Sequence, residues 1–230
     1  MDFSKFEVLT FDCYGTLIDW ESGILSAIIP VLSDFDVSVG NEEILEDYAE
    51  FESNSEEGEF IKYREILKEV AQKFADKYNI QIPLNKEYIL ADSMKQWRPF
   101  PDSVKALNRL KELFKIGILS NVDNDLFAYS SYHLGIDFDF LFTAEEIGSY
   151  KPSIKNFEYL INNIGIDKDK ILHVAQSLYH DIAPAKSIGL STVWVNRRRD
   201  SHGAGATPKV SAIPDIEVPD LESLVKLIKN

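Results

Sequence analysis

The sequence predicts a doubly wound α/β fold carrying an inserted helical segment, on three observations. After Pro99, helical and strand-like stretches alternate, the pattern of a parallel sheet covered on both faces. Between Thr16 and Arg98, four amphipathic stretches instead follow one another without a strand. Ahead of this insert, the short apolar run Phe6, Val8, Leu9 and Phe11 ends in Asp12-Cys13-Tyr14-Gly15-Thr16-Leu17, a buried strand emptying into a tight loop. The expected organisation is a Rossmann-like core of residues 1–15 and 99–230 with a helical cap of residues 16–98.

Within the insert, Asp19 is placed to cap a helix carrying Ile24, Leu25, Ile28, Ile29 and Leu32, which Pro30 is expected to end early. Ile44, Leu45, Tyr48 and Phe51 mark a second helix. Ser53 and Glu56 are spaced as a capping box ahead of a third, whose stripe is Phe60, Tyr63, Leu67, Val70 and Phe74. Asn85 is expected to open a fourth, with Ile89, Leu90, Met94 and Trp97. The acids between Glu42 and Glu59 alternate with the apolar stripe and read as a solvated helix face.

In the core, helices are expected near 102–114, 123–133, 153–163, 180–188 and 219–229. Strands are expected at 116–119, 140–142, 171–175 and 192–195. Arg198 to Pro214, rich in Gly, Ser and Pro, reads as a long mobile loop.

A chain of 230 residues can bury a real core, and 45% hydrophobic with 27% charged residues fits a soluble globular enzyme. The net charge of -14 argues against nucleic acid, which needs clustered Lys and Arg, and against anionic membranes. An anionic substrate then requires a local cationic site. Cys13 is the single cysteine, so no intrachain disulfide forms, and its expected role is a neutral filler at the strand end. With no signal peptide and no apolar run of membrane-spanning length, a cytoplasmic location is the default expectation. Homodimer formation is left open.

Four strand ends carry polar groups, and in a parallel sheet that edge is where ligands bind. They are Asp12, then Ser120-Asn121, then Lys151 a short loop after Leu141-Phe142, then Gln176-Ser177 with His180-Asp181. A carboxylate such as Asp12 is ionised at neutral pH and needs no activating base to act as a nucleophile. It needs a cation, for which Lys151 is the natural candidate, and an electrophile brought into line. Ser120 and Asn121 can hydrogen-bond Asp12 or an anionic substrate group, or cap the following helix. Thr16 can hydrogen-bond the Asp12 loop.

In this order the four stretches resemble the motifs of the haloacid dehalogenase superfamily, over nearly the whole chain. Its phosphatases carry a second Asp two residues after the nucleophile, which protonates a poor alkoxide leaving group. Here that position is Tyr14, a weak acid for the task, whereas a halide leaves without a proton. The run Asp12-x-Tyr14-Gly15-Thr16-Leu17 is similar to the motif of 2-haloacid dehalogenases. In the last motif Gln176 stands where the phosphatases place an Asp on Mg²⁺, so the resemblance implies no metal and no other cofactor.

The resemblance further implies a 2-haloalkanoate, a small anion, as substrate. Asp12, Lys151, Asp181 and Ser120 would be catalytic, Asp181 activating the hydrolytic water and pairing with Lys151. Tyr14, Thr16, Asn121, Gln176, Ser177 and His180 would surround the substrate. The chain departs from the pattern in three places: residues 41–59 contain no Arg to bind a substrate carboxylate, Phe157 replaces a Tyr, and Gln176-Ser177-Leu178 replaces Ser-x-Asn. Arg64, Arg98 and Arg197-Arg198-Arg199 are the candidate substitute cations. His133, His173 and His202 carry no functional signal. The rival readings are a Mg²⁺-dependent phosphatase using the same Asp12 and a non-catalytic ligand-binding descendant of the fold.

Overall fold

The computed structural model describes residues 1–229 and contains one six-stranded sheet in the order β3-β2-β1-β4-β5-β6, every neighbouring pair parallel. The strands are β1 (Val8–Phe11), β2 (Lys115–Ser120), β3 (Phe140–Thr143), β4 (Ile171–Ala175), β5 (Ser191–Val195) and β6 (Ile216–Val218). Both β1 and β4 are buried at every position, as strands covered on both faces must be. β1 sits between β2 and β4, so the strand order reverses beside it. That reversal opens the crevice at the carboxyl ends of β1, β2 and β4. The helices of the core are α5 (Ser103–Lys111), α6 (Asn124–Leu134), α7 (Ala144–Ile147), α8 (Ile154–Ile164), α9 (Ala183–Ser187) and α10 (Leu221–Lys229).

Between β1 and β2 lie α1 (Trp20–Ser33), α2 (Asn41–Ser55), α3 (Tyr63–Tyr78) and α4 (Ile89–Ser93), with no strand among them. The chain enters and leaves this helical layer through paired backbone. Ile18 bridges Pro99, Asp19 N–H donates to Arg98 O at 2.8 Å, and Phe100 N–H donates to Leu17 O at 3.0 Å.

Several local expectations are corrected. Pro30 does not end α1, because it lies on the solvent face where water can satisfy the carbonyl it frees, while Val31 and Leu32 stay buried beyond it. Ser53 and Glu56 form no capping box, since α2 runs through Ser55. The first amides of α3, Tyr63 and Arg64, donate instead to the carboxylate of Asp123, both at 2.9 Å. Asn85 lies in a single 3₁₀ turn, Leu84–Lys86, and α4 begins only at Ile89.

The 198–214 loop is irregular as expected but pinned. Arg198 ion-pairs with Glu21 and Glu42, and the amides of Gly205 and Ala206 donate to the same two carboxylates at 2.9 and 3.1 Å.

One contact holds the helical layer against the base of the Asp12 loop. Gly23 on α1 faces the Trp97 indole, which also meets Tyr14 edge-on at 5.7 Å between ring centroids. A Cβ on Gly23 would come within 2.4 Å of the Trp97 ring. Gly23→Ala gains about 1 kcal/mol of helix propensity and loses about 1–3 kcal/mol to overpacking. A net destabilisation is therefore expected, read as a lower urea midpoint with an unchanged m value, and a midpoint at or above wild type would contradict it.

Candidate active site

Asp12 follows β1 directly and is tied into the sheet by its amide, which donates to Val174 O at 3.1 Å. The turn beyond it closes on Cys13 O, which accepts from Leu17 and Ile18 N–H at 2.8 and 3.0 Å. Gly15 has φ +86, a backbone conformation that L side chains avoid, and an added Cβ would lie 3.0 Å from Trp20 Nε1 and 3.1 Å from Gln176 Oε1. Thr16 then reaches back, its hydroxyl donating to Asp12 Oδ2 at 2.7 Å and accepting from Gln176 N–H at 2.9 Å. One side chain thereby fastens the β1 loop to the β4 loop.

Lys151 is the centre of the charge arrangement. Its Nζ donates to Asp12 Oδ1 at 2.9 Å, Asp181 Oδ1 at 2.7 Å and Leu119 O at 3.1 Å, so all three ammonium protons are used. The ammonium is 2% exposed. Burial works against its charge, but the attraction of Asp12 and Asp181 outweighs burial and holds its pKa above the ordinary value. Burial likewise pushes the Asp12 carboxyl up, with the Lys151 charge pulling against it. Both Asp12 oxygens accept hydrogen bonds, which leaves the ionised form the one the site satisfies.

Asp181 also loses solvation on burial, yet Lys151 and a hydrogen bond from His173 bring its pKa below the ordinary carboxylate value. It is placed by a widened turn, Leu178–Ile182, in which Ile182 N–H donates to Ser177 O at 3.1 Å and Ser177 Oγ accepts from His180 N–H at 2.8 Å. The helix expected over 180–188 is thus this turn followed by the short α9.

His173, set aside on sequence, belongs to the site. Its Nε2 lies 2.9 Å from Asp181 Oδ1 and its Nδ1 2.9 Å from Thr10 Oγ1, making it a positioning residue for Asp181. Only the pairing of β1 with β4, which sets Thr10 opposite His173, brings these groups together.

The predicted residues converge on one cavity, lined by Asp12, Tyr14, Ser120, Asn121, Lys151, Gln176, Ser177, His180 and Asp181, with Trp20, Glu52, Glu56, Tyr63 and Thr207 closing it. About 30 Å³ of it is open to the centre of a water molecule, room for about two waters. Ser120 Oγ, His180 Nε2 and Asp181 Oδ2 are buried there without a hydrogen-bond partner. Burial lowers the His180 pKa to about 4, so the imidazole is neutral at neutral pH.

Other predicted groups are committed to structure. Asn121 donates to Lys151 O at 2.9 Å and to Glu56 Oε1 at 3.1 Å, and accepts from Lys151 N–H at 2.7 Å. The Tyr14 hydroxyl pairs with Ser130 Oγ at 3.0 Å.

Of the acids between Glu42 and Glu59, Glu43, Glu46, Glu50, Glu57 and Glu59 are solvated as expected, but Asp47, Glu52 and Glu56 are not. Glu52 is 3% exposed and accepts from the hydroxyls of Tyr48 and Tyr63. Glu56 lies with Oε2 4.0 Å from His180 Nε2. Burial pushes the Glu52 carboxyl up to about 7 and the Glu56 carboxyl well above its usual range. Asp47 is buried in an ion pair with Lys77, whereas Glu52, on the last turn of α2, and Glu56, just beyond it, line the cavity.

None of the substitute cations lines the cavity. Arg64 pairs with Asp125, Arg98 with His133, Arg197 with Asp102 and the Thr16 carbonyl, Arg198 with Glu21 and Glu42, and Arg199 is exposed beside Asp200.

Mg²⁺ favours carboxylates. Here Asp12 and Asp181 are tied to an ammonium, positions 14 and 176 carry a phenol and an amide, and Gln176 Oε1 faces Thr207 Oγ1 at 3.5 Å. This donor set does not fit the ion. Among the described residues no group of three His, Cys, Asp or Glu is placed to hold a metal.

Residues 6–189 match the haloacid dehalogenase-like hydrolase family. The chain is 26% identical over 229 residues to haloacetate dehalogenase H-2 of Moraxella sp. (strain B), covering 97% of this chain and 98% of that one. It is 28% identical over 151 residues to the pyrimidine 5'-nucleotidase YjjG of Escherichia coli (strain K12), covering 64% and 67%. Its fold superposes on an L-2-haloacid dehalogenase from Xanthobacter autotrophicus with a TM-score of 0.81 at 19% identity, covering 98% of this chain and 99% of that one. The alternating core, the order of Asp12, Ser120, Lys151 and Asp181 along four loops, and the match over residues 6–189 agree: the chain belongs to the haloacid dehalogenase-like hydrolases.

Proposed function

We propose that this hydrolase breaks the carbon–halogen bond of a small 2-halo compound through an ester formed on Asp12, the reaction type of the 2-haloacid dehalogenases. The observation that carries the reading is an Asp12 carboxylate ion-paired to Lys151 with a phenol, not a second carboxyl, at position 14. The arrangement supplies a nucleophile without a proton donor for the leaving group, which suits a halide and not an alkoxide.

In the first step an Asp12 oxygen bonds to the carbon bearing the halogen as the carbon–halogen pair leaves with the halide. In the second, water adds to the Asp12 ester carbonyl while the unpartnered Asp181 Oδ2 takes its proton. Collapse of the tetrahedral adduct releases the alcohol and restores the Asp12 carboxylate, and the net products are alcohol, halide and one proton. Lys151 stabilises the oxygen charge of that adduct from 2.9 Å.

The test is halide release from a panel of 2-halo acids and amides, with and without EDTA. Release is expected to survive chelation unchanged. Strict dependence on Mg²⁺, with hydrolysis of a generic phosphate ester in place of halide release, would assign the chain to the phosphatase branch.

A further inference from the structure

We infer that Glu52 and Glu56 make this cavity a site for an uncharged small organohalide, a 2-halo carboxamide, and not for the 2-haloacid itself. The inference rests on the function proposed above and names its substrate class. A substrate carboxylate in a buried cavity is held best by a cation with protons to spare, and otherwise by several hydrogen-bond donors converging on it. Lys151 has no spare proton, its three being given to Asp12, Asp181 and the Leu119 carbonyl. Among the described residues no other Lys or Arg lines the cavity: Arg64, Arg197 and Arg198 are ion-paired elsewhere, Arg98 meets His133, and Arg199 is exposed beside Asp200.

The wall that the helical insert gives this cavity is acidic. Glu52 and Glu56 occupy it, Glu52 held by two tyrosine hydroxyls and Glu56 by Asn121. A carboxylate placed between this wall and Asp12 would meet acid groups on both sides with one saturated ammonium between them. Through a carboxyl oxygen Glu56 offers an amide N–H an acceptor, which a carboxylate substrate has no proton to use.

The free polar atoms match an amide as well. Ser120 Oγ can donate to the amide carbonyl, while Glu56 Oε2 and the neutral His180 can accept from the NH₂ group. That hold leaves the adjacent halogen-bearing carbon facing Asp12.

The test compares turnover with binding. Halide release from 2-chloropropionamide is expected to exceed that from 2-chloropropionate by at least tenfold in kcat/KM at pH 7.5. Equilibrium binding of the unreactive probes propionamide and propionate to the wild-type enzyme is expected to favour the amide by the same margin. A preference for the acids in either measurement overturns the inference and leaves the dehalogenase reading intact. Amide-selective binding without halide release from either compound overturns the reaction and leaves the charge selectivity standing.

Glu56→Gln and Glu52→Gln are expected to shift the binding ratio several-fold toward propionate. An unchanged ratio in variants that melt as wild type would show that these carboxyls do not set the selectivity. An acid substrate that binds tightly at pH 7.5 through a protonated Glu56 would give the acid preference already named.

Discussion

A single turnover in H₂¹⁸O with enzyme in excess is expected to place the label on Asp12 and leave the product hydroxyl unlabelled. The product oxygen comes from the carboxylate, and water replaces it only when the ester is cleaved. The structure gives Asp12 the fixed geometry this requires. One oxygen is held by Lys151 and the other by Thr16, so the carboxylate cannot rotate freely before attack.

Asp12→Asn keeps this shape but replaces an anionic nucleophile by an amide. It is expected to lower kcat by about 10⁴ or more, the scale on which a covalent nucleophile is lost. Mass spectrometry of the active-site peptide reads the label directly. If ¹⁸O enters the product while Asp12 stays unlabelled, water is the nucleophile and Asp12 serves as a base.

Lys151→Ala is expected to cost both activity and stability. Removing an oxyanion-stabilising donor from a dry site lowers kcat by about 10²–10³. Here Asp12 and Asp181 are also left buried beside each other without their shared cation, and breaking such a pair costs about 3–5 kcal/mol. The pH dependence follows from the direction of the shifts. In the wild type, Asp181 is held below its unfolded value, so its contribution is present above that value and lost as pH falls through the folded one.

In the variant both carboxyls lose that attraction and burial raises them above their unfolded values. The folded variant then binds more protons than the unfolded chain, and its stability falls as pH rises through this window. The deficit in Tm relative to wild type should therefore be largest near neutral pH and shrink toward pH 4. A deficit independent of pH would place the loss in packing alone.

The sequence by itself determined the fold class, five of the six parallel strands, and the placing of Asp12, Ser120, Lys151 and Asp181 at or just beyond strand ends. These are written in local signals. Buried parallel strands read as short apolar runs, and a polar residue at the end of such a run faces the crevice whatever the rest of the chain does.

The strand β6 was not legible, being three residues that pair only at the sheet edge. The caps of α3 were not legible either, because Asp123 supplies them from a residue 60 positions away. Pro30 was misjudged because its penalty depends on which face of α1 meets water.

The tertiary structure alone decided the polarity of the cavity. Glu52 and Glu56 look in sequence like their solvated neighbours Glu50 and Glu57, since periodicity shows which residues share a helix face and not where the end of that helix points. The layer of helices had to be packed on the core before two of its acids came to line the cavity that holds Asp12. His173 had to be set beside Thr10 by strand register before it could hold Asp181. Charge and hydrogen-bond partners in a buried site come from segments far apart in the chain, and only packing decides which of them meet.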